Sequence, residues 1–270
     1  MDISKHNQLR RKWIVDKRPC ILCGVNGVEE KDHLPPKTLY PKSLRTDKTN
    51  FFTFPTCAAC NRNTSDSDFL LSVYLAFYLP QSEFKKGLPA SHPDHIALLE
   101  QWNSQITDQK NGHRKAKLIK PYVGETDENR VGKIFYTKIP VNESLIKFTK
   151  ALYWFETGGD ILETYRPGWW IFQDIDTSKK NYIEKLIKGT QSTVQWEDRF
   201  IAHYIVGRPE NAAGGFISSS LHFYTERKVG KGANWQLIAV PTTTIHERKS
   251  LFEHCVKVMG DPTIEPNMVQ

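Results

Sequence analysis

Apolar positions in this chain fall into segments whose periodicity changes from stretch to stretch. Residues 69–79 are apolar almost all round, interrupted by Ser72, as in a helix buried on every side. Ahead of them, Phe51-Phe52-Thr53-Phe54 is a short run of strand type, and a companion strand is expected to end near Asp32. Pro35 and Pro36 bar a helix after His33, so an irregular Ω-like loop should join the two strands. The segment Cys57-Ala58-Ala59-Cys60 should open the following helix, and Thr64-Ser65-Asp66 offers capping oxygens and negative charge to its first turn. Residues 80–93 are rich in Pro, Gly and Ser and read as a linker, with a short helix near 94–106. The basic stretch 107–133, containing His113-Arg114-Lys115-Ala116-Lys117, breaks the pattern again. Residues 142–155 show helical periodicity that stops at Gly158-Gly159. Strand-like runs at 169–175, 201–206, 216–224 and 235–240 follow, with a helix near 179–188. These elements predict an α+β protein: an N-terminal module over 1–80, a linker over 81–93, and an α+β domain with an antiparallel sheet over 94–270.

A length of 270 residues suits two domains. With 39% hydrophobic, 11% aromatic and 25% charged residues, the composition excludes wholesale disorder, collagen-like repeats and coiled coil. The run at 69–79 is far shorter than the ~18 apolar residues of a membrane-spanning helix, so no membrane partner is expected. Residues 1–15 are polar and basic, without the apolar centre of a secretory signal, and the expected location is the cytoplasm. The 37 Lys and Arg outnumber the 30 Asp and Glu for a net charge of +7, which leans towards a polyanionic partner.

Of five cysteines, four form two close pairs, Cys20 with Cys23 and Cys57 with Cys60. In a reducing compartment two C-x-x-C knuckles suit a structural Zn²⁺ held by four thiolates better than disulfides. A thioredoxin-like redox pair would not account for a second knuckle. Gly24 permits the backbone angles a knuckle needs. Cys255 stands alone and reads as a small buried hydrophobe.

Between the knuckles lies Lys31-Asp32-His33-Leu34-Pro35-Pro36, then Asn50, and Cys60 is followed directly by Asn61. This order, C-x-x-C, Asp-His, Asn, C-x-x-C-Asn, resembles the HNH family of metal-dependent endonucleases and their ββα-metal (His-Me finger) fold, over residues 19–80. The resemblance implies hydrolysis of phosphodiester bonds in DNA, double-stranded by preference, in phage defence, mobile-element activity or repair, with defence the preferred setting. It implies His33 as general base, Asp32 and Asn61 as ligands of a catalytic Mg²⁺ or Mn²⁺ with Asn63 as the alternative to Asn61, and Asn50 as the residue that orients the catalytic loop. Asn50 lies further from the second knuckle than in the commoner form of the pattern. Asp66 and Asp68 read as solvated or dipole-complementing residues of the first helical turn. An imidazole with an ordinary pKa near ~6.5 is largely neutral in the cytoplasm and can take a proton from water, while one hard cation on carboxylate and amide oxygens supplies the charge sink.

Cations surround the constellation, and Lys37, Lys42, Arg45 and Arg62 are the expected nucleic-acid contacts. Six of the seven Trp lie beyond residue 100 and are expected mainly in the core. The C-terminal domain is open to substrate recognition, sensing, homo-oligomerisation or a regulatory partner. Two rival classes stand beside the nuclease: a non-catalytic, zinc-stabilised nucleic-acid-binding module that uses neither His33 nor a second metal, and a zinc-stapled protein-interaction module without affinity for nucleic acid.

Overall fold

The computed structural model describes residues 3–46, 49, 51–82, 93–125, 132–134, 139–140, 142–162, 168–172, 192–196, 200–207, 216–226 and 231–239. The chain begins with helix α1 (Ile3–Val15), crosses the turn of the first knuckle and enters strand β1 (Glu30–Leu34). Two short 3₁₀ turns, Lys37–Leu39 and Lys42–Leu44, occupy the Pro-rich loop before strand β2 (Phe52–Thr56). Pro36 and Pro41 stand immediately before these turns, where a fixed φ is favourable and no amide donor is needed. Helix α2 (Ala58–Ser82) follows β2 directly, then helices α3 (Pro93–Thr107) and α4 (Gly112–Ile119), a small hairpin of β3 (Val123–Glu125) with β4 (Gly132–Ile134), and helix α5 (Asn142–Glu156).

β1 and β2 form a two-stranded antiparallel sheet that pairs Asp32 with Phe54 and His33 with Thr53. Alternation along β1 sends Glu30, Asp32 and Leu34 to one face and Lys31 and His33 to the other, with Asp32 and Leu34 buried. The strand passes the Asp-His pair instead of ending at it. Leu34 is fully buried opposite Phe52, and the first proline comes only at residue 35. A separate five-stranded antiparallel sheet comprises β5 (Gly168–Phe172), β6 (Ser192–Trp196), β7 (Phe200–Gly207), β8 (Phe216–Glu226) and β9 (Lys231–Ala239), in the order β5-β9-β8-β7-β6. The expected mixture of helix and antiparallel sheet is present. Strand β6 was not anticipated, because Ser192-Thr193-Val194-Gln195-Trp196 has little apolar contrast. The helix expected near 179–188 and Cys255 lie outside the described residues. No helix among the described residues is long and apolar enough to cross a membrane.

Two local expectations need correction. Helix α2 starts at Ala58, immediately after Cys57, so Thr64-Ser65-Asp66 lies inside it and does not cap it. The basic stretch 107–133 holds an ordered helix, α4, whose preceding turn is organised by Asp108: its Oδ1 accepts from the amides of Lys110 at 3.0 Å and Asn111 at 2.7 Å.

The core crosses the boundary drawn near residue 80. Trp13 of α1, Leu34 and Phe54 of the hairpin, Phe69 and Tyr74 of α2, and Leu145, Phe148, Leu152 and Trp154 of α5 belong to one buried cluster. Trp13 and Trp154 meet edge to face at 5.7 Å, and Phe52 and Phe155 at 4.1 Å. α5 ends where Gly158 and Gly159 take positive φ values of 72° and 127°. At Gly159 a Cβ would also sit 3.0 Å from the Trp13 ring. α5 therefore shares a buried core with α1, the hairpin and α2.

Candidate functional site

The four cysteine sulfurs lie within 4.8 Å of one another, and Cys23 Sγ is 3.8 Å from Cys57 Sγ. A tetrahedral Zn²⁺ with Zn–S bonds of ~2.3 Å requires sulfur separations of about 3.8 Å, so this donor set fits zinc in kind, number and spacing. Cys20 and Cys23 come from the turn after α1, while Cys57 and Cys60 bracket the start of α2. Gly24 takes φ +75°, and its amide donates back to the Cys20 carbonyl at 2.8 Å, closing the first knuckle. Burial pushes the Cys20 thiol pKa up, against an opposing pull from the backbone amides of Cys57, Cys23 and Leu22, and the Cys60 amide donates to Cys57 Sγ at 3.4 Å. Such donors stabilise thiolate charge. Lys150 of α5 is drawn to the same place, donating to the Leu22 carbonyl at 2.5 Å. Burial pushes the Lys150 pKa down, and the neighbouring Cys20, Cys60 and Cys23 oppose that shift. Among the described residues, this is the one convergence of three or more His, Cys, Asp or Glu side chains able to hold an ion.

Asp32 and His33 are adjacent but face opposite sides of the hairpin. Asp32 is 6% exposed, and both of its carboxylate oxygens are engaged. Oδ1 accepts the His33 amide at 2.7 Å; Oδ2 accepts the Thr64 hydroxyl at 2.7 Å and the Lys147 ammonium at 3.0 Å. Lys147, on α5, has no side-chain exposure and also reaches Asp68 Oδ2 at 2.5 Å, while the Ser144 hydroxyl donates to Asp68 Oδ1 at 2.9 Å. Asp68 is thus fully enclosed and not a solvated residue of a first helical turn. Burial pushes its carboxyl up to about 6; the Lys147 ammonium opposes that shift and the Asp32 carboxylate reinforces it. Asp66, the other acid read as solvated, pairs with Arg114 at 2.5 Å and Lys115 at 3.3 Å.

Asn61 lies one turn before Thr64 on the same helix and reaches β1, its side-chain amide donating to Glu30 Oε2 at 2.5 Å. Glu30, Asp32 and Asn61 therefore address one hairpin-helix interface. Asn63 is exposed on α2, so only Asn61 of the two is bonded to the hairpin. Asn50 lies outside the described residues.

The His33 ring is half-buried and meets Phe51 edge to face, with centroids 6.1 Å apart. Burial, then the nearby Lys37 ammonium, push its pKa down to about 4, against a smaller opposing pull from Asp32. At neutral pH the imidazole is therefore uncharged. Phe51 also receives Lys37 at 5.9 Å and Arg45 at 5.4 Å on its ring. Arg45 braces the loop, donating from Nε to the Tyr40 carbonyl at 2.7 Å and from its terminal nitrogen to the Lys37 carbonyl at 2.9 Å. Lys37, Lys42 and Arg45 line a cleft of about 740 Å³, whereas Arg62 is not part of its lining and bonds to the Ala58 carbonyl of its own helix.

Sequence reasoning missed Lys147, Lys150, Thr64, Glu30 and Phe51. The available signal for Lys147 was its place one turn before Ala151 and two before Trp154 in a periodic helical run, where a lysine among apolar side chains needs a buried partner. No protein-family model matches the chain, and neither does any curated protein or solved structure.

Proposed function

We propose that this chain is a metal-dependent endonuclease of HNH type acting on DNA, stapled by zinc at Cys20, Cys23, Cys57 and Cys60. One observation carries the reading: an Asp-His pair lies on the first strand of a two-stranded hairpin whose second strand runs straight into a zinc-knuckle helix, and Asn61 of that helix is hydrogen-bonded back to the hairpin. In this reading an uncharged ring nitrogen of His33 takes a proton from the attacking water. Phe51 limits where the ring can turn, and Lys37 beside it disfavours a resting charge on the imidazole. Asp32, Asn61 and Glu30 offer carboxylate and amide oxygens, the donor type that Mg²⁺ or Mn²⁺ takes. Such an ion, when bound, supplies a charge sink for the anion that develops at phosphorus and at the leaving oxygen. Lys37, Lys42 and Arg45 are proposed as backbone contacts, and phage defence is the proposed setting.

A second reading is favoured by two features of the same site. His33 faces the opposite side of the hairpin from Glu30 and Asp32, the proposed cation ligands. Thr64 and Lys147 already engage Asp32 Oδ2, so a divalent cation there has to share that oxygen or displace the ammonium. A non-catalytic nucleic-acid-binding zinc module has no such conflict.

Plasmid cleavage with and without added Mg²⁺ or Mn²⁺ separates the two. His33→Ala should lower cleavage by ~10² to 10⁴ while zinc content and DNA affinity remain near wild type. Asp32→Ala and Asn61→Ala should instead need more divalent metal for residual activity. Retention of more than about a tenth of wild-type activity by His33→Ala removes the assignment of the base. DNA binding without cleavage under any divalent metal selects the non-catalytic module.

A further inference from the structure

The basic helix α4 falls outside the sequence motif, yet it packs beside it. The cleft of about 740 Å³ has one wall made by the two 3₁₀ turns after the Asp-His strand and the other made by α3 and α4, with Ser65 and Asp66 of α2 between them. The Gln101 side chain on α3 donates to the Thr38 carbonyl and ties the walls together.

Charge and chemistry define what the cleft suits. Five cationic side chains line it against three carboxylates. Two of those carboxylates are already engaged: Asp66 by Arg114 and Lys115, and Asp108 by the amides of Lys110 and Asn111. Lys37 and Lys42 are exposed on the opposite wall, and neither forms an ion pair among the described residues. The remaining described lining is mainly small hydroxyls and carboxamides, with no aromatic side chain. Cations with neutral hydrogen-bonding groups suit phosphate and sugar oxygens, whereas a surface that holds unpaired bases needs stacking platforms. Two residues of the cleft lining, Lys37 and Arg45, also lie against the Phe51 ring, which His33 meets edge to face.

We infer that this cleft is a track for the sugar-phosphate backbone of duplex DNA, gripped by Lys37 and Lys42 on one wall and Arg114 on the other, independently of base sequence. The inference rests on the nuclease reading for the identity of the polymer, and it adds α4 to the binding surface. Asp66 holds Arg114 at the cleft, and Lys115 buttresses it from behind through the Ser65 carbonyl at 3.2 Å.

The test is duplex binding by the full chain without added divalent metal, so that no cleavage accompanies it, titrated with salt for two duplexes of unrelated sequence. Lys42→Ala with Arg114→Ala should weaken both duplexes alike, by about tenfold or more, and make the slope of log affinity against log salt shallower by about 1.8, at ~0.9 per phosphate contact. Lys5→Ala with Lys12→Ala, an equal removal of two charges on α1, should leave the slope unchanged. Because Arg114 pairs with Asp66, Lys37→Ala with Lys42→Ala provides a second variant that touches only exposed loop side chains and should give the same direction. Wild-type affinity and slope in both folded double variants would overturn the track, as would a failure of the wild type to bind either duplex. Binding that is lost in the variants, in a protein that cuts nothing with Mg²⁺ or Mn²⁺, would uphold the track and overturn the nuclease reading.

Discussion

Protein carrying Cys57→Ser is expected to lose its zinc and, with it, the fold of the region from α1 to α2. The expected effect is large because metal binding and folding are one equilibrium: structural zinc contributes ~10–16 kcal/mol in small zinc modules, against a total stability of ~5–15 kcal/mol for a typical domain. In this chain the cysteines connect the turn after α1 with the start of α2. Cys20 and Cys23 lie in a turn, while Cys57 and Cys60 set the first turn of α2, and so the placement of Asn61 and Thr64 against β1. Elemental analysis should give about one zinc per wild-type chain and none in the variant, whose circular dichroism should lose helical signal. A folded variant without zinc would remove the structural role of the site. Cys255→Ser should change neither measurement.

Lys147→Met should cost ~3–5 kcal/mol of stability, because it leaves two carboxylates, Asp32 and Asp68, enclosed without their cation. Methionine fills similar volume, so the loss reports charge and hydrogen bonding more than a cavity. Combining Lys147→Met with Asp68→Leu removes one of the stranded carboxylates and should recover part of the loss, giving a favourable coupling in a double-mutant cycle read from urea midpoints. A cost below about 1 kcal/mol for the single variant would show that the buried network is not what fastens α5 to the hairpin. The same geometry predicts that residues 1–80 alone are poorly folded. Without α5, the apolar faces of β2 and α2 and the Asp32 carboxylate lose their cover.

The cysteine cluster was legible because its information is local. Two cysteines three positions apart on a tight turn can reach one ion wherever the turn lies, so spacing alone brought Cys20, Cys23, Cys57 and Cys60 forward. The Pro-interrupted loop, the strand at Phe52–Thr56 and the buried helix were legible for the same reason, since proline geometry and a continuous apolar run constrain their own segment. The second knuckle opens α2 as expected, but the capping role of Thr64-Ser65-Asp66 was misread because Thr, Ser and Asp favour a helix cap in isolation. The helix starts six residues before Thr64, leaving Thr64 to bond to Asp32. Asp68 was misread in the same way: an acid near a helix start is usually solvated, and only a lysine 79 positions further along the chain makes its burial tolerable.

The amino-acid sequence by itself determined the two cysteine pairs that cluster, the hairpin-helix order around them, and the Asp-His pair lying between them. Tertiary structure alone decided that Asp32 and His33 face opposite ways, that α5 brings Lys147 to one and Lys150 to the first knuckle, and that α4 faces the loop bearing Lys37 and Lys42. The physical reason is that knuckles, strands and turns follow from torsions and spacing within a few residues. The partner of a buried charge is set by packing between segments distant along the chain, where the cost of an unpaired ion selects the contact and no local pattern records it.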